Sequence, residues 1–271
     1  MIYLFAASIS NSVDRRFYET REKEYMRIIA RYKHEEQQVF PELFAFLVTT
    51  MESGGYCDFL GELFMNLGLG NDAGGQFFTP YDVCLAMAEM TMDPDYLKGK
   101  IEESGYITIN DPACGAGATL IAAADIMQKY KINFQQSALF IAQDIDFTTA
   151  LMCYVQLSLL GCAGYVRIGN TLTDPMTGSI LHGGNNDEHT WFTPMWYHEH
   201  WRMIRAVDVV KRMIPDVATA FPQTAKTQTD ETMAENETAV IDDTEPIEAP
   251  MIVVRKKSTR KHPEGQLMFE F

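Results

Sequence analysis

The chain has 271 residues, a hydrophobic fraction of 46% and a formal net charge of −15 at pH 7. This length accommodates one large domain or one and a half, with a sizeable core, and the acidic balance is not that of a freestanding nucleic-acid-binding protein. Residues 221–271 hold 10 acids and 6 bases, so residues 1–220 carry a net charge of −11. Any contact with DNA must therefore use a local basic patch or charge supplied by a partner.

The five cysteines, at positions 57, 84, 114, 153 and 162, are dispersed and form no Cys-x-x-Cys pair. Such a set favours a reducing compartment over a disulfide framework or a zinc site. The apolar stretch 1–9 has no basic residue before it and is too short to span a bilayer, and no other run approaches that length. We therefore expect a cytoplasmic protein with no membrane partner.

Residues 1–73 carry the periodicity of helices and predict a small N-terminal helical subdomain. One helix is predicted within residues 13–35, a second begins at Phe40-Pro41, where proline suits the first turn, and a third spans Cys57 to Leu67. The first helix places its apolar residues on one stripe: Phe17, Tyr25, Ile28, Ile29 and Tyr32. Stripes of this kind are typical of core packing rather than of a cofactor site.

The segment 74–82, Gly-Gly-Gln-Phe-Phe-Thr-Pro-Tyr-Asp, precedes a helix predicted to run to about Met90. Thr79 suits the N-cap, Pro80 the first helical position, and Asp82 completes a Thr-x-x-Asp capping box. Capping explains these three residues. It does not explain the glycine pair and the two phenylalanines that come before them.

Residues 106–118, Tyr-Ile-Thr-Ile-Asn-Asp-Pro-Ala-Cys-Gly-Ala-Gly-Ala, combine a short β-branched strand with a turn that lacks bulky side chains. From Ala118 to Tyr130 the pattern becomes helical. A strand, a glycine-rich turn and a helix form the first half of a nucleotide-binding βαβ unit, because the glycines let a ligand approach the backbone. A tight strand–helix turn in an ordinary α/β domain is the alternative.

This turn lacks the third glycine of a dinucleotide fingerprint and the Gly-Lys-Ser/Thr of a triphosphate site. Asp111 lies at the end of the strand instead, where it would repel a pyrophosphate. A carboxylate there suits a ligand with a cationic amino group, such as the methionine end of S-adenosylmethionine.

A second strand is predicted from Ala138 to Ala142, and it leads into Gln-Asp-Ile-Asp at 143–146. An acid at the end of this strand, Asp144, is where a nucleoside-binding fold holds the two ribose hydroxyls, and Ile145 could lie against the adenine. A solvated acidic turn is the alternative reading. A helix over 148–160 and a short third strand over 166–168 follow.

Four segments together resemble the adenine-specific (N6) DNA methylases, nearest to the modification subunit of type I restriction–modification systems. They follow the family's order over about residues 55–175: Gly-Gly-Gln-Phe-Phe-Thr-Pro (74–80), Asp-Pro-Ala-Cys-Gly-Ala-Gly (111–117), Gln-Asp-Ile-Asp (143–146) and Gly-Asn-Thr-Leu (169–172). The resemblance implies an α/β, Rossmann-like S-adenosylmethionine-dependent methyltransferase fold over residues 74–215, which could be truncated after the third strand.

The resemblance also implies a cofactor site. By it, Thr79 and Asp111 hold the methionine end of S-adenosylmethionine, and Asn170 meets the adenine amine. The family usually has aspartate at this last position, but asparagine can still accept one hydrogen bond through its carbonyl oxygen. The full set of cofactor-binding residues implied in this way is Gln76, Phe77, Thr79, Asp111, Ala113, Gly115, Gly117, Asp144, Ile145 and Asn170.

The family's catalytic signature, Asn or Asp followed by Pro-Pro and an aromatic residue, is absent: the chain has 11 prolines and no Pro-Pro dipeptide. In the family this loop accepts hydrogen bonds from the target amine and stacks on the flipped base. The nearest stand-in is Thr193-Pro194-Met195-Trp196. A fourth strand at 205–210 is an alternative, although a helix from about His200 to Met213 fits the period better. The catalytic residues therefore stay unassigned.

Four histidines, at 182, 189, 198 and 200, fall close together, but no cysteine or aspartate completes a recognised ligand pattern. A polar loop is favoured, and no metal site is predicted.

Residues 216–264 are predicted to be a disordered tail, acidic at first and then basic. Residues 227–250 carry eight acids and no base, whereas Arg-Lys-Lys-Ser-Thr-Arg-Lys at 255–261 is a candidate phosphate contact. The terminal residues 265–271 are similar to the peptides that bind the bacterial sliding clamp. The contacts would be made by Gln266, Leu267, Phe269 and Phe271. Chance apolar residues are the alternative.

Two functions from different classes follow. The first is an adenine-N6 DNA methyltransferase that uses S-adenosylmethionine and acts on DNA, with a partner methylase or specificity subunit if it is catalytic. The second is a catalytically inactive, methylase-like scaffold or accessory subunit that binds the cofactor or DNA-associated proteins.

Overall fold

The computed structural model describes residues 1–69, 78–184 and 186–213. The candidate residues Gln76 and Phe77, the tail from residue 214 onward and the terminal peptide 265–271 lie outside the described residues. Within the described part, no helix is both long enough and apolar enough to cross a bilayer.

Helices and strands occupy most of this part of the chain. The helices are α1 (Ile2–Val13), α2 (Tyr18–Ile29), α3 (His34–Gln37), α4 (Val39–Gly54), α5 (Phe59–Asn66), α6 (Tyr81–Thr91), α7 (Pro94–Ser104), α8 (Ala118–Lys129), α9 (Phe134–Ser137), α10 (Phe147–Leu159) and α11 (Glu199–Met213). The strands are β1 (Ile107–Asp111), β2 (Ala138–Asp144), β3 (Ala163–Ile168) and β4 (Thr190–Phe192). Short 3-10 turns lie at Ile180–His182 and Pro194–Tyr197.

The four strands form one sheet in the order β1-β2-β3-β4. Strands β1, β2 and β3 run parallel, with Asp111 beside Ala142 and Asp144 beside Ile168. Strand β4 pairs antiparallel with β3. The expected α/β fold is confirmed as a mixed α/β structure with a mostly parallel sheet. Strand β4 adds a short fourth strand beside β3, and the Rossmann-like methyltransferase fold with a possible truncation stays a prediction.

Strand β2 is the central strand of the parallel part, and its residues 138–143 are all buried. Parallel strands covered on both faces read as continuous apolar runs, which explains the sequence Ala-Leu-Phe-Ile-Ala. Gly164 in β3 lets the two strands approach, since a Cβ there would lie 1.8 Å from the backbone oxygen of Phe140. Strand β1 alternates between half-buried and exposed residues, as an edge strand does.

The core lies on both faces of the sheet. The larger cluster joins one face to α1, α8 and α10, and the smaller one includes Tyr165, Phe192, Trp196 and Trp201. Helix α1 was not predicted, because its apolar residues surround the helix instead of forming a stripe. Its Tyr3 stacks on Phe147 of α10 at 6.0 Å, so the N-terminal helices share the core of the sheet.

A buried ion pair fastens the N-terminal helices to β4. The Arg21 guanidinium, 3% exposed, lies 3.3 Å from Asp14 and donates to Ser10 Oγ at 2.6 Å and to the Thr190 carbonyl at 3.0 Å. It also stacks 4.1 Å from the Trp191 ring. These contacts pair the buried charge where water is excluded, although Nε of Arg21 has no hydrogen-bond partner among the described residues. The boundary between two domains at residue 73 stays a prediction.

One local expectation is wrong, and one helix was not predicted. Helix α6 begins with Pro80 as its N-cap and has no side-chain cap bond, so the capping box of Thr79 and Asp82 does not form. Helix α7 was not predicted, although Asp93 accepts a hydrogen bond from the Tyr96 amide and Pro94 follows it, which is a readable start signal. The helix predicted over 200–213 is confirmed as α11.

Candidate functional site

The segments singled out by the sequence meet at the carboxyl ends of the parallel strands. The turn of residues 112–117 leaves β1 and enters α8, and the Cys114 amide donates to the Gln143 carbonyl at the end of β2, 3.0 Å away. The Gly169 amide, just after β3, donates to the Asp144 carbonyl at 2.8 Å. Backbone hydrogen bonds thus join the ends of three strands into one polar rim.

The turn depends on two glycines with positive φ, Gly115 at +53° and Gly117 at +102°. A Cβ on Gly117 would lie 2.9 Å from Cys153 Sγ, so any larger residue would collide with α10. A Cβ on Gly115 would lie 3.4 Å from the ring of Phe78, which itself packs 5.8 Å from Phe64. Glycine at both positions is therefore a requirement of the turn.

Asp111 is held at the start of this turn. Its Oδ1 accepts the Ala113 amide at 3.0 Å, and its Oδ2 accepts a short hydrogen bond from Thr119 Oγ1 on α8. Each carboxylate oxygen has two acceptor positions, so these bonds fix the orientation of Asp111 and leave acceptor capacity for a ligand. The side chain is half-buried at the rim.

Asp144 lies beside the same turn, at the end of β2. Its Oδ2 accepts the Gly115 amide at 2.7 Å. Its Oδ1 accepts the Asp146 amide at 2.9 Å and Thr149 Oγ1 at 3.3 Å. The acid that the sequence singled out for a ribose therefore also braces the glycine turn. The next side chain, Ile145, is 69% exposed.

Asn170 begins the loop after β3. Its side-chain oxygen accepts the Leu172 amide at 2.9 Å and the Thr173 amide at 3.4 Å, so the acceptor expected for an adenine amine already serves the loop. The amide nitrogen of Asn170 is a donor and suits a ring nitrogen instead. Thr171 Oγ1 donates a short hydrogen bond to the Pro112 carbonyl, which holds this loop against the glycine turn.

Behind the turn lies a polar contact that the sequence reasoning missed. Gln156, fully buried in α10, donates to the Ala116 carbonyl at 2.9 Å and to Asp58 Oδ1 at 2.7 Å, and it accepts the Leu60 amide at 3.0 Å. Burial raises the pKa of Asp58, although the hydrogen bonds that it accepts act in the opposite direction. A glutamine within the apolar run Tyr-Val-Gln-Leu was the available signal.

The role expected for Thr79 stays a prediction. Its side chain is exposed, and its carbonyl accepts a hydrogen bond from the Cys84 thiol at 3.9 Å.

The comparison with protein families is decisive. The family model described as N-6 DNA Methylase matches residues 62–213, more than half of the chain. The chain belongs to the N-6 DNA methylase family. Comparisons with curated proteins and with solved structures found no match. The matched range contains all four strands and the polar rim, while the likeness to a type I modification subunit stays a prediction.

The segment 193–196 lies apart from the polar rim. Since β4 runs antiparallel to β3, Thr193 lies beside Cys162 and Gly164, at the edge of the sheet opposite Asp111 and Asp144. Its fully buried hydroxyl donates to the Cys162 carbonyl at 2.7 Å and accepts the Gly164 amide at 3.0 Å. The catalytic residues therefore stay unassigned.

The Cys114 thiol of the turn and two histidines elsewhere in the chain make structural contacts. The pKa of the Cys114 thiol is raised well above that of an ordinary thiol by its hydrogen bond with Cys153 and by burial. Cys114 therefore stays protonated and is a poor nucleophile. His182 contacts Asp208 at 2.9 Å, and His200 contacts the Gln136 carbonyl at 2.9 Å. Among the described residues, no three His, Cys, Asp or Glu side chains are placed to bind a metal.

Proposed function

We propose that this N-6 DNA methylase binds S-adenosylmethionine at the rim formed by Asp111, the glycine turn and Asp144, within a Rossmann-like methyltransferase domain. The observation that carries the proposal is the 2.7 Å hydrogen bond from the Gly115 amide to Asp144. This bond joins the glycine turn to Asp144 at the end of β2. In a nucleoside site, the turn runs beneath the ligand and the acid holds its ribose. We further propose that the protein works in a reducing cytoplasm and acts at DNA.

The residues present fit this cofactor. Two carboxylates with free acceptor positions suit the ammonium group and the ribose hydroxyls, and exposed Ile145 offers an apolar surface to the adenine. The turn has no side chain beyond Cβ at 115–117, so a ligand can lie close to the backbone. When bound, S-adenosylmethionine supplies a methyl group activated by its sulfonium charge.

Each of the proposed cofactor-binding residues then has a role. Asp111 orients the amino group, and Gly115 and Gly117 admit the ligand to the backbone. Asp144 holds the ribose, and Asn170 contacts the adenine through its amide nitrogen. The remaining proposed contacts come from the backbone at 113 and from segment 76–79: Ala113, Gln76, Phe77 and Thr79.

Catalysis is proposed to need a second chain, either a partner methylase or a specificity subunit. The sequence has no Pro-Pro dipeptide, and the hydroxyl of Thr193 is buried at the amino end of β3, opposite to the carboxyl ends that form the polar rim. In this proposal, segment 193–196 therefore supplies no acceptor for a target amine near Asp111. A catalytically inactive scaffold that keeps the cofactor site is the second candidate function. The lack of a Pro-Pro dipeptide favours this function too.

Transfer of labelled methyl from S-adenosylmethionine to DNA, with and without co-purified partner proteins, tests these functions. We expect the isolated chain to bind the cofactor by calorimetry and to transfer no methyl group, and a partner to restore transfer. Transfer by the isolated chain would contradict the need for a partner. Binding without transfer under any condition would favour the scaffold, and undetectable binding at millimolar cofactor would refute both.

A further inference from the structure

Strand β1, which carries Asp111, is an end strand of the sheet in the part of the chain that the structure describes. In a doubly wound α/β sheet the first strand is central, because a second set of strands continues the sheet on the side away from the second strand. The ligand of such a sheet lies where the strand order reverses. The order β3-β2-β1 matches one half of this arrangement. The side of β1 that faces away from β2 is therefore the place where a second half would begin.

This open edge of β1 is accessible. Thr108 and Asn110 are exposed, and Ile107 and Ile109 are only half-buried, whereas residues 138–143 of β2 are all buried. An edge strand presents amides and carbonyls that are a template for another strand.

Helices α6 and α7 flank this edge and leave a groove of about 690 Å³ along residues 107–110 of β1. The wall that the helices form is mainly apolar and includes Met87, Met92, Tyr96 and Leu97. Of these, Met87 and Tyr96 are 51% and 64% exposed. An apolar groove beside an open strand edge suits an extended segment, because the backbone of the segment can pair with the strand while its side chains contact the helices.

We propose that a strand of a second, different protein chain occupies this groove, pairs with the open edge of β1 and runs parallel to it. Parallel strands have their carboxyl ends at the same end of the sheet, so the residues that follow the added strand would reach the polar rim beside Asp111. The proposal rests on the proposed function, since it gives the route by which a partner would bring an acceptor for the target amine to the site.

The charge of the flanking helices favours a basic partner. Residues 80–104 carry six acids, all exposed, and two lysines. The lysine that lines the groove, Lys100, is paired with Glu103 at 2.7 Å. Opposite charge across an interface favours association, and β-branched side chains suit a strand. The partner strand should therefore combine apolar, β-branched residues with positive charge at its ends.

A second copy of the chain is a less favourable occupant of the same edge. Pairing two β1 edges would bring two sets of acidic α6 and α7 helices together, and like charges at a close interface oppose association. A basic strand from a different protein meets the same helices with opposite charge, so the charge distribution selects a different partner.

Peptide binding to the full-length chain, measured without cofactor, tests the proposal. The probe is a synthetic peptide of sequence Lys-Lys-Val-Thr-Val-Thr-Val-Lys-Lys with a fluorophore at one end. One control peptide has glutamate in place of every lysine. A second control carries an N-methyl group on every amide of the Val-Thr core, which removes the donors that pair with a strand and keeps the side chains.

Two variants of the chain form a matched pair on helix α6. Met87→Lys places a positive charge in the groove, because Met87 lines it. Met90→Lys adds the same charge three residues further along, at a side chain that is 86% exposed and not part of the lining.

We expect the probe to bind the unaltered chain about tenfold more tightly than either control peptide, because binding needs both the backbone amides and the positive charge. Binding should slow amide hydrogen exchange over residues 106–111 and leave residues 138–144 of β2 unchanged. Met87→Lys should weaken binding of the probe by about tenfold and Met90→Lys by less than about twofold, since only the first charge lies within the groove. A photo-crosslinker at the carboxyl end of the probe should label the chain near residue 111, and one at the amino end near residue 106.

No binding of the probe, equal binding of the three peptides, or equal effects of the two lysine variants would overturn the proposal. Slow exchange over residues 106–111 without any peptide would overturn it too. If that protection rises with protein concentration, a second copy covers the edge, and if it does not, the chain covers the edge itself. Failure of the proposed function is a separate result, because undetectable cofactor binding by calorimetry would leave the peptide measurements unchanged.

Discussion

Asp144 takes part in two arrangements at once, because its carboxylate braces the glycine turn and keeps one acceptor position, on Oδ2, for a ligand. The amide of asparagine keeps one acceptor oxygen but loses the charge and places a donor against a backbone amide. We therefore expect Asp144→Asn to weaken S-adenosylmethionine binding by about 1–3 kcal/mol, measured by calorimetry.

The matched control for Asp144 is Asp146→Asn, two residues along the chain. Asp146 caps α10 by accepting the Thr149 amide at 2.8 Å, and asparagine caps a helix equally well. This control should leave binding unchanged. If both substitutions weaken binding equally, Asp144 acts through local charge alone and not as a ligand contact.

Gly117 and Gly105 form a second matched pair at the residue scale. Both have positive φ, but a Cβ on Gly117 would lie 2.9 Å from Cys153 Sγ, whereas a Cβ on Gly105 would meet nothing within 4 Å. Gly105→Ala should cost about 1 kcal/mol of unfolding free energy, from backbone strain alone. Gly117→Ala should cost about 1–3 kcal/mol more, because overpacking adds to the strain.

Chemical denaturation of the two glycine variants measures this difference. Adding Cys153→Ala to Gly117→Ala should recover part of the loss, since it removes the sulfur in the way. Equal losses for the two single variants would show that α10 yields to the added methyl group.

At the scale of the elements, helices α1 and α2 are joined to β4 through Asp14 and Arg21. Burial alone would raise the pKa of Asp14, but hydrogen bonds from Arg16 and the charges of Arg16 and Arg21 lower it below the ordinary aspartate value. A lowered folded-state pKa stabilises the fold above the unfolded pKa of about 4, and this contribution is lost as the pH falls through the folded-state pKa.

Asp14→Asn should therefore destabilise the protein by about 3–5 kcal/mol near pH 7, because it breaks a buried pair. The difference in unfolding free energy between this variant and the unaltered chain should narrow as the pH falls below about 4. Urea unfolding at several pH values measures it. Glu24→Gln, in an exposed pair with Arg27, should cost less than about 1 kcal/mol. A difference in unfolding free energy that does not change with pH would contradict the conclusion that the charge of Asp14 stabilises the fold.

The elements also show what the sequence could predict. Strands β1 and β2 and helix α8 follow from local patterns, and the parallel arrangement then brings Asp111 and Asp144 to one rim. Strand β4 has only three residues, so no periodicity could reveal it. The contact between Asp58 and Gln156 joins residues 98 positions apart, and only the folded chain shows that they meet behind the turn.

For the whole molecule, the distribution of charge decides how it reaches DNA. Residues 1–220 carry a net charge of −11, whereas residues 255–261 hold five bases and no acid. The isolated chain should therefore bind duplex DNA no more tightly than the non-specific range of about 10⁻⁴–10⁻⁶ M at physiological salt, measured by fluorescence anisotropy. A partner, or a docking protein that takes the terminal peptide through Gln266, Leu267, Phe269 and Phe271, would supply the missing attraction.

A full-length variant with glutamine at the five basic positions, Arg255, Lys256, Lys257, Arg260 and Lys261, tests whether this segment contacts DNA. If it does not, the weak DNA affinity of the variant should equal that of the unaltered chain. If it does, the variant should lose DNA affinity with a smaller salt dependence, because each phosphate contact releases counterions. Submicromolar DNA binding by the unaltered chain, abolished in this variant, would show that the protein carries its own DNA contact and does not depend on a partner for it.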